Sequence, residues 1–181
     1  LKRGVNWACT MDVAIRAVNW VWGTRFFENE LAHYPKIGAI ISHSLIEHGR
    51  HIYDNLEYYE ECTGNHYLSN ISGLIYISAR FPDYKDSDEW LLFGIQELVS
   101  EMNRQVYDDG YSHEASTHYH RLVVEIFLST SILVERIPNK RRKKLNTVTI
   151  QKSRKKWQLK RNFKKDVNLQ LEGTILPSEF Y

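Results

Sequence analysis

Apolar positions along the chain recur every three or four residues and are broken by short polar turns, which is the period of helices rather than strands. The spacing predicts a helix over residues 6–22, with Asn6 as N-cap, Gly23 just past its end and apolar residues on nearly every face, so that an inner helix is expected there. Trp7, Trp20 and Trp22 read as core, and Asp12 and Arg16 as an intrahelical ion pair. A short helix over 26–34 closes before Pro35. A longer one follows from Gly38 to about Tyr59, with Ile40, Ile41, Leu45, Ile46, Ile52, Tyr53 and Leu56 as its inward stripe. Helices are then predicted over 66–80, over Asp88–Val106 with Ser87 capping, and from about Ser116 to Arg136, ended by Pro138. Helices joined by short turns pack antiparallel, which gives an all-α array of helical hairpins.

Beyond residue 139 the pattern fades. Thr147–Ile150 and Val167–Leu171 alternate like strands but stand in basic or polar surroundings, and little regular structure is expected. The charge divides at the same place. Residues 1–139 carry 11 Lys and Arg against 19 Asp and Glu, whereas residues 140–165 carry 13 Lys and Arg and no acid, so the formal net charge of +2 belongs to the tail. The expected division is therefore 1–139 as a helical domain and 140–181 as a basic tail. A nucleic-acid binder using Lys140 to Lys165 with Trp157 and Phe163 would rest on charge alone and is not expected. At 181 residues and 43% hydrophobic content the chain can bury one core. No stretch approaches the roughly 18 consecutive apolar residues of a membrane span, so no membrane partner is expected. Cys9 and Cys62 are too few and too far apart to indicate a disulfide framework or a zinc knuckle. His48 and His51 lie one turn apart on a helix but lack the His-Glu-x-x-His order, and no metal or other cofactor is expected.

Candidate chemistry gathers at two loop-to-helix junctions. Asn65 and His66 follow Gly64 and precede an apolar helical run, and Tyr119, His120 and Arg121 precede another. An amide, an imidazole and a phenol suit removal of an acidic C–H proton beside a carboxylate. The amide and the imidazole temper the charge that builds on the carboxylate, and the phenol moves the proton. Arg121 and the clustered histidines are the groups placed to assist the phenol. From spacing alone, Asn65 reads first as a helix cap, while His66 reads equally as a packed junction histidine and Tyr119 as a core phenol; Glu114 and Ser116 read as caps of the helix after the Asp-Gly turn.

The string from Asn6 to Ala17, then His48-Gly49, Asn55-Leu56-Glu57, Gly64-Asn65-His66-Tyr67-Leu68 with Gly73-Leu74, and Asp109-Gly110 with Glu114, Ser116 and Tyr119-His120-Arg121, resembles the catalytic helical domain of the heparinase II/III-like polysaccharide lyases, relatives of the oligo-alginate lyases. The likeness runs from about Gly4 to Val134 and is gone beyond about Ile137. It implies that the helical hairpins are part of an incomplete α/α toroid, and that the chain is the middle of a longer catalytic domain. It further implies β-elimination at a uronic acid of an acidic polysaccharide or oligosaccharide, alginate-like or heparan-like. By the same resemblance Asn65 and His66 neutralise the carboxylate and Tyr119 acts as base or acid; Arg121 and His120, next to Tyr119 in the sequence, are expected to bind substrate. The alternative is a non-catalytic helical module for glycan binding or scaffolding. Oligomeric state and localisation stay open, with a periplasmic or secreted location following only from a signal peptide in the parent protein.

Overall fold

A computed structural model describes residues 4–59, 63–148, 150 and 174–176. After a 3-10 turn at Val5–Trp7 come helices α1 (Thr10–Phe26), α2 (Glu28–Ala32), α3 (Pro35–Asp54), α4 (Asn65–Arg80), α5 (Ser87–Gln105), α6 (Thr117–Glu135) and α7 (Asn139–Leu145). Among the described residues there is no strand, only an isolated bridge between Val106 and Ser112. The all-α expectation holds. No described helix is long and apolar enough to cross a membrane.

The inner helix is α4 rather than the first helix. From Tyr67 to Ser78 every residue of α4 is buried, whereas α1 buries only Thr10, Val13, Ala14 and Ala17. Small residues explain the difference, because Ser, Gly and Ala let neighbouring backbones approach a helix from several sides. Gly73 meets Ala14 of α1 and Ile52 of α3 so closely that an added Cβ would lie 2.9 Å from the Ala14 Cβ and 3.1 Å from its Cα. Backbone cannot yield as a flexible side chain can. Gly73→Ala is therefore expected to destabilise the fold by about 2 kcal/mol, the scale of overpacking a core. A denaturant midpoint within error of the parent would refute that close approach.

Contacts set the helix directions. Thr10 bonds the Asn55 carbonyl at the end of α3, Ser87 Oγ donates to the Ser78 carbonyl, and Ser72 shares a 2.8 Å hydrogen bond with Thr130. With Gln105 reaching back to the Gly64 carbonyl, α3 and α5 run opposite to α4. Trp22 beside Tyr76, and the Ala14 to Gly73 contact, make α1 parallel to α4. Since α5 and α6 are joined by a short hairpin, α6 is also parallel to α4. The N-termini of α1, α4 and α6 thus share one end of the array.

Several local expectations are corrected. α1 starts at Thr10 with Cys9, not Asn6, as its N-cap residue, and Gly23 lies inside it. Arg16 turns away from the helical pairing with Asp12 toward His48 and the Asn6 carbonyl. Trp20 and Trp22 are exposed by 39% and 45%, and Ile40 by 69%, so none of them is core. α3 starts at Pro35, whose missing N–H costs nothing in the first turn, and ends at Asp54. Ser87 opens α5 without capping it and spends its hydroxyl on Ser78.

The basic stretch is not without structure. Residues 139–145 form α7, in which Arg142 and Leu145 are buried. Arg141 is clamped to Asp88, to the Ser78 carbonyl and to Ser87 Oγ at 3.0, 2.8 and 2.8 Å. Ile175 and Leu176 are buried against the α4–α5–α6 core, and their N–H groups donate to the Glu135 carboxylate. Most of the stretch from 151 on, including Trp157, Phe163 and the 167–171 alternation, lies outside the described residues, as does Cys62.

Candidate active site

Asn65 is the first residue of α4 and is 7% exposed. Its Nδ2 donates to both oxygens of Glu114, at 3.0 and 2.8 Å, and its backbone N–H donates to Glu114 Oε1 at 2.8 Å. Glu114 therefore caps α4, not the helix that follows it in sequence. A carboxylate suits that place because the first N–H groups of a helix have no partner within it and carry the positive end of its dipole. The carboxylate comes close to the backbone at Gly64, where an added Cβ would lie 2.8 Å from Glu114 Oε1 and the Glu114 side chain would have to shift. Glu114→Ala removes charge-assisted bonds to two N–H donors and is expected to cost roughly 2–3 kcal/mol. Thermal or denaturant melting would show it, and a loss under about 0.5 kcal/mol would mean that the cap is not formed.

His66 stands next to Asn65 with its side chain 55% exposed, and its Nδ1 faces Glu57 Oε1 at 3.2 Å. The other oxygen of Glu57 accepts from the Met11 N–H at 2.8 Å and from Asn70 Nδ2 at 3.2 Å, while the Glu57 N–H donates to Asn70 Oδ1. One carboxylate thus ties the starts of α1 and α4 together and orients the His66 ring, leaving Nε2 for a ligand. Cys9 Sγ lies 3.7 Å from Glu57 Oε1, and burial, opposed by the Asp12 N–H, raises its thiol pKa. Glu57 and Glu114 are the organising residues that spacing alone does not find. They lie 9 and 49 positions from the groups they hold, and no local period links them.

Tyr119 is in the first turn of α6 and is 47% exposed. By helical period it lies on the same face as Leu122, Ile126 and Thr130, the face through which α6 meets Ser72 of α4. Leu122, Ile126 and Ser129 line a cavity of about 140 Å³ together with Ile15, Asn19, Ser69 and Ser72. Among the described residues no hydrogen bond joins Tyr119 to Asn65 or His66; the two junctions are connected through Glu114. His120 faces elsewhere. Its ring stacks on Tyr111 at 4.6 Å, its Nδ1 accepts the Ser112 N–H at 3.3 Å, and it lines an apolar groove of about 440 Å³ between α5 and α6. Arg121 is exposed.

The neighbouring phenol is excluded from proton transfer. Tyr67 is buried, donates to Glu97 at 2.7 Å, and is held well above the usual tyrosine range by burial first and by that carboxylate second. His48 is equally committed. Arg16 Nε donates to its Nε2 at 2.9 Å, so its Nδ1 carries the proton and donates to the Ser44 carbonyl at 2.7 Å.

The family described as Heparinase II/III N-terminus matches residues 2–167. The chain belongs to this family. The match passes the point near Ile137 where the likeness is expected to stop, which agrees with the packing of α7 onto the helical core. Three heparin-sulfate lyases are similar over parts of the chain. The one from Bacteroides stercoris is 36% identical over 83 residues, covering 46% of this chain and 12% of its own length. The one from Pedobacter heparinus is 40% identical over 65 residues, 36% of this chain and 10% of its own length. That from Bacteroides thetaiotaomicron is 27% identical over 125 residues, 69% of this chain and 17% of its own length. Each matched segment is thus less than a fifth of the curated relative. No solved structure matches the chain at a significant level.

Proposed function

We propose that this chain carries catalytic groups of a polysaccharide lyase that β-eliminates the glycosidic bond at C4 of a uronic acid, in an alginate-like or heparan-like polymer. A base removes the C5 proton, the C4–O4 bond breaks as the C4–C5 double bond forms, and the departing O4 takes up a proton. Asn65 and His66 temper the charge on the substrate carboxylate, helped by the positive end of α4. Tyr119 moves the proton as base, acid or both. Arg121 adds a positive charge for the anionic chain, and His120 steadies the Ser112 end of the loop that carries Glu114.

The observation that carries this reading is the Asn65–Glu114 pair, which ties the start of α4 to the loop entering α6 while Tyr119 lies on the α4-facing side of α6. Nδ2 has two hydrogens. Sharing one between the Glu114 oxygens leaves the second for a substrate carboxylate.

The same pair favours the rival reading in one respect, because a buried amide bound to a carboxylate also serves as plain structure. The test is to incubate the whole gene product with alginate, heparan sulfate and other uronans and to follow the unsaturated product in the near ultraviolet. Product that depends on Tyr119 supports the lyase. Glycan binding without product points to a non-catalytic binding module.

A further inference from the structure

We propose that Cys9 Sγ, Glu57 Oε1 and His66 Nδ1 form a binding site for one soft divalent cation, zinc above all. The three donor atoms lie within 4.8 Å of one another. A tetrahedral zinc with ordinary bond lengths sets its ligand atoms roughly 3.4–3.6 Å apart. The Glu57 to Cys9 and Glu57 to His66 separations, 3.7 and 3.2 Å, already fall about that range. Sulfur and imidazole nitrogen lie no more than 4.8 Å apart, a gap that small side-chain rotations close.

The carboxylate is prepared for the task. Oε2 is held by the Met11 N–H and Asn70 Nδ2, so Oε1 is presented singly to the other two donors, as an outer layer of hydrogen bonds presents a metal ligand. Cys9 is placed by its carbonyl, which accepts the Val13 N–H in the first turn of α1, and His66 is placed by the first turn of α4. The exposed side of His66 leaves a fourth position open to water or to an exogenous ligand.

Donor type selects the ion. One thiolate, one imidazole and one carboxylate suit zinc or cobalt and not magnesium or calcium, which take oxygen ligands. The thiol proton leaves as the metal binds. No sequence motif announces the set, because its members come from the start of α1, the connection after α3 and the start of α4. Metal binding does not depend on the lyase reading. One consequence does rest on it: a cation on Nδ1 takes over the nitrogen by which Glu57 orients the ring and draws the ring toward Cys9, so Nε2 leaves the place proposed for the substrate carboxylate and zinc inhibits the lyase.

The experiment titrates the metal-free 181-residue chain with cobalt alone and then with zinc, without any glycan. Expected are the thiolate-to-cobalt charge-transfer band, the visible bands of tetrahedral cobalt at one equivalent, and loss of both on adding zinc. Cys9→Ser abolishes the charge-transfer band and Cys62→Ser leaves it unchanged. His66→Ala, at a half-exposed position where folding is unaffected, weakens affinity at least about 100-fold, since even outer-layer partners cost 10- to 100-fold. Absence of stoichiometric binding, loss of the band in Cys62→Ser, or unchanged affinity in His66→Ala would each overturn the proposal. Zinc binding without inhibition of the glycan assay would leave the metal site standing and count against the role of His66 in the lyase.

Discussion

Replacing Tyr119 by Phe in the whole gene product is expected to lower turnover on a uronan by about 10²- to 10⁴-fold, the usual contribution of a positioned acid or base. The fall should appear in kcat, with KM little changed, because the phenolic oxygen acts when the proton moves and adds little to ground-state binding. Stability should stay within about 0.5 kcal/mol of the parent, since the side chain is 47% exposed and bonded to no interior group among the described residues. That separation makes Tyr119 a cleaner probe than Asn65. Asn65→Ala removes the side-chain donor that faces Glu114, so a slow variant there mixes chemistry with loosening of the start of α4. Initial rates from near-ultraviolet absorbance, paired with a denaturant melt, decide the matter. A Tyr119→Phe protein as fast as the parent would remove the phenol from the mechanism.

Arg141→Ala is expected to destabilise the helical domain by about 3 kcal/mol. The guanidinium joins α7 to the α4–α5 corner through Asp88, the Ser78 carbonyl and Ser87 Oγ, and both partners of the ion pair have side chains only 12% exposed. Taking one partner from a buried pair leaves the other without compensation, which costs about 3–5 kcal/mol; Lys144, also on Asp88, holds the effect to the low end. Lys143→Ala, at an exposed position of the same helix, serves as the control and should change stability by less than about 0.5 kcal/mol. Equal midpoints for the two variants in urea would mean that α7 is an appendage after all.

Charge was a misleading guide at that boundary. A run of Lys and Arg reads as a solvated tail, yet Arg141 and Arg142 are spent on carbonyls and a buried carboxylate, and Leu145 is fully buried. A long aliphatic stem with a polar head can enter a core wherever acceptors await it, and acceptors supplied by α4, α5 and the end of α6 are invisible in the basic run itself. The tryptophans misled in the opposite sense. Trp20 lies against His48 of α3 and Trp22 beside Tyr76 of α4, yet both stay at the rim, 39% and 45% exposed, so hydrophobicity at those positions did not mean burial in this chain.

What the sequence determined by itself is the helices from α1 to α6 and the two polar junctions. Periodicity and turn residues are local, and a helix writes its apolar face into positions three and four apart, so α4, α5 and α6 were legible to within a residue or two of their ends. The ordered motifs likewise carried the family, which the match over residues 2–167 establishes. Tertiary structure alone decided which helix lies innermost, because close approach depends on Gly73 meeting Ala14 across the chain. It alone assigned Glu114 to the start of α4 and Glu57 to the ring of His66, for a carboxylate finds its partner through space. Spacing records neighbours along one helix, whereas a site is assembled from the ends of several.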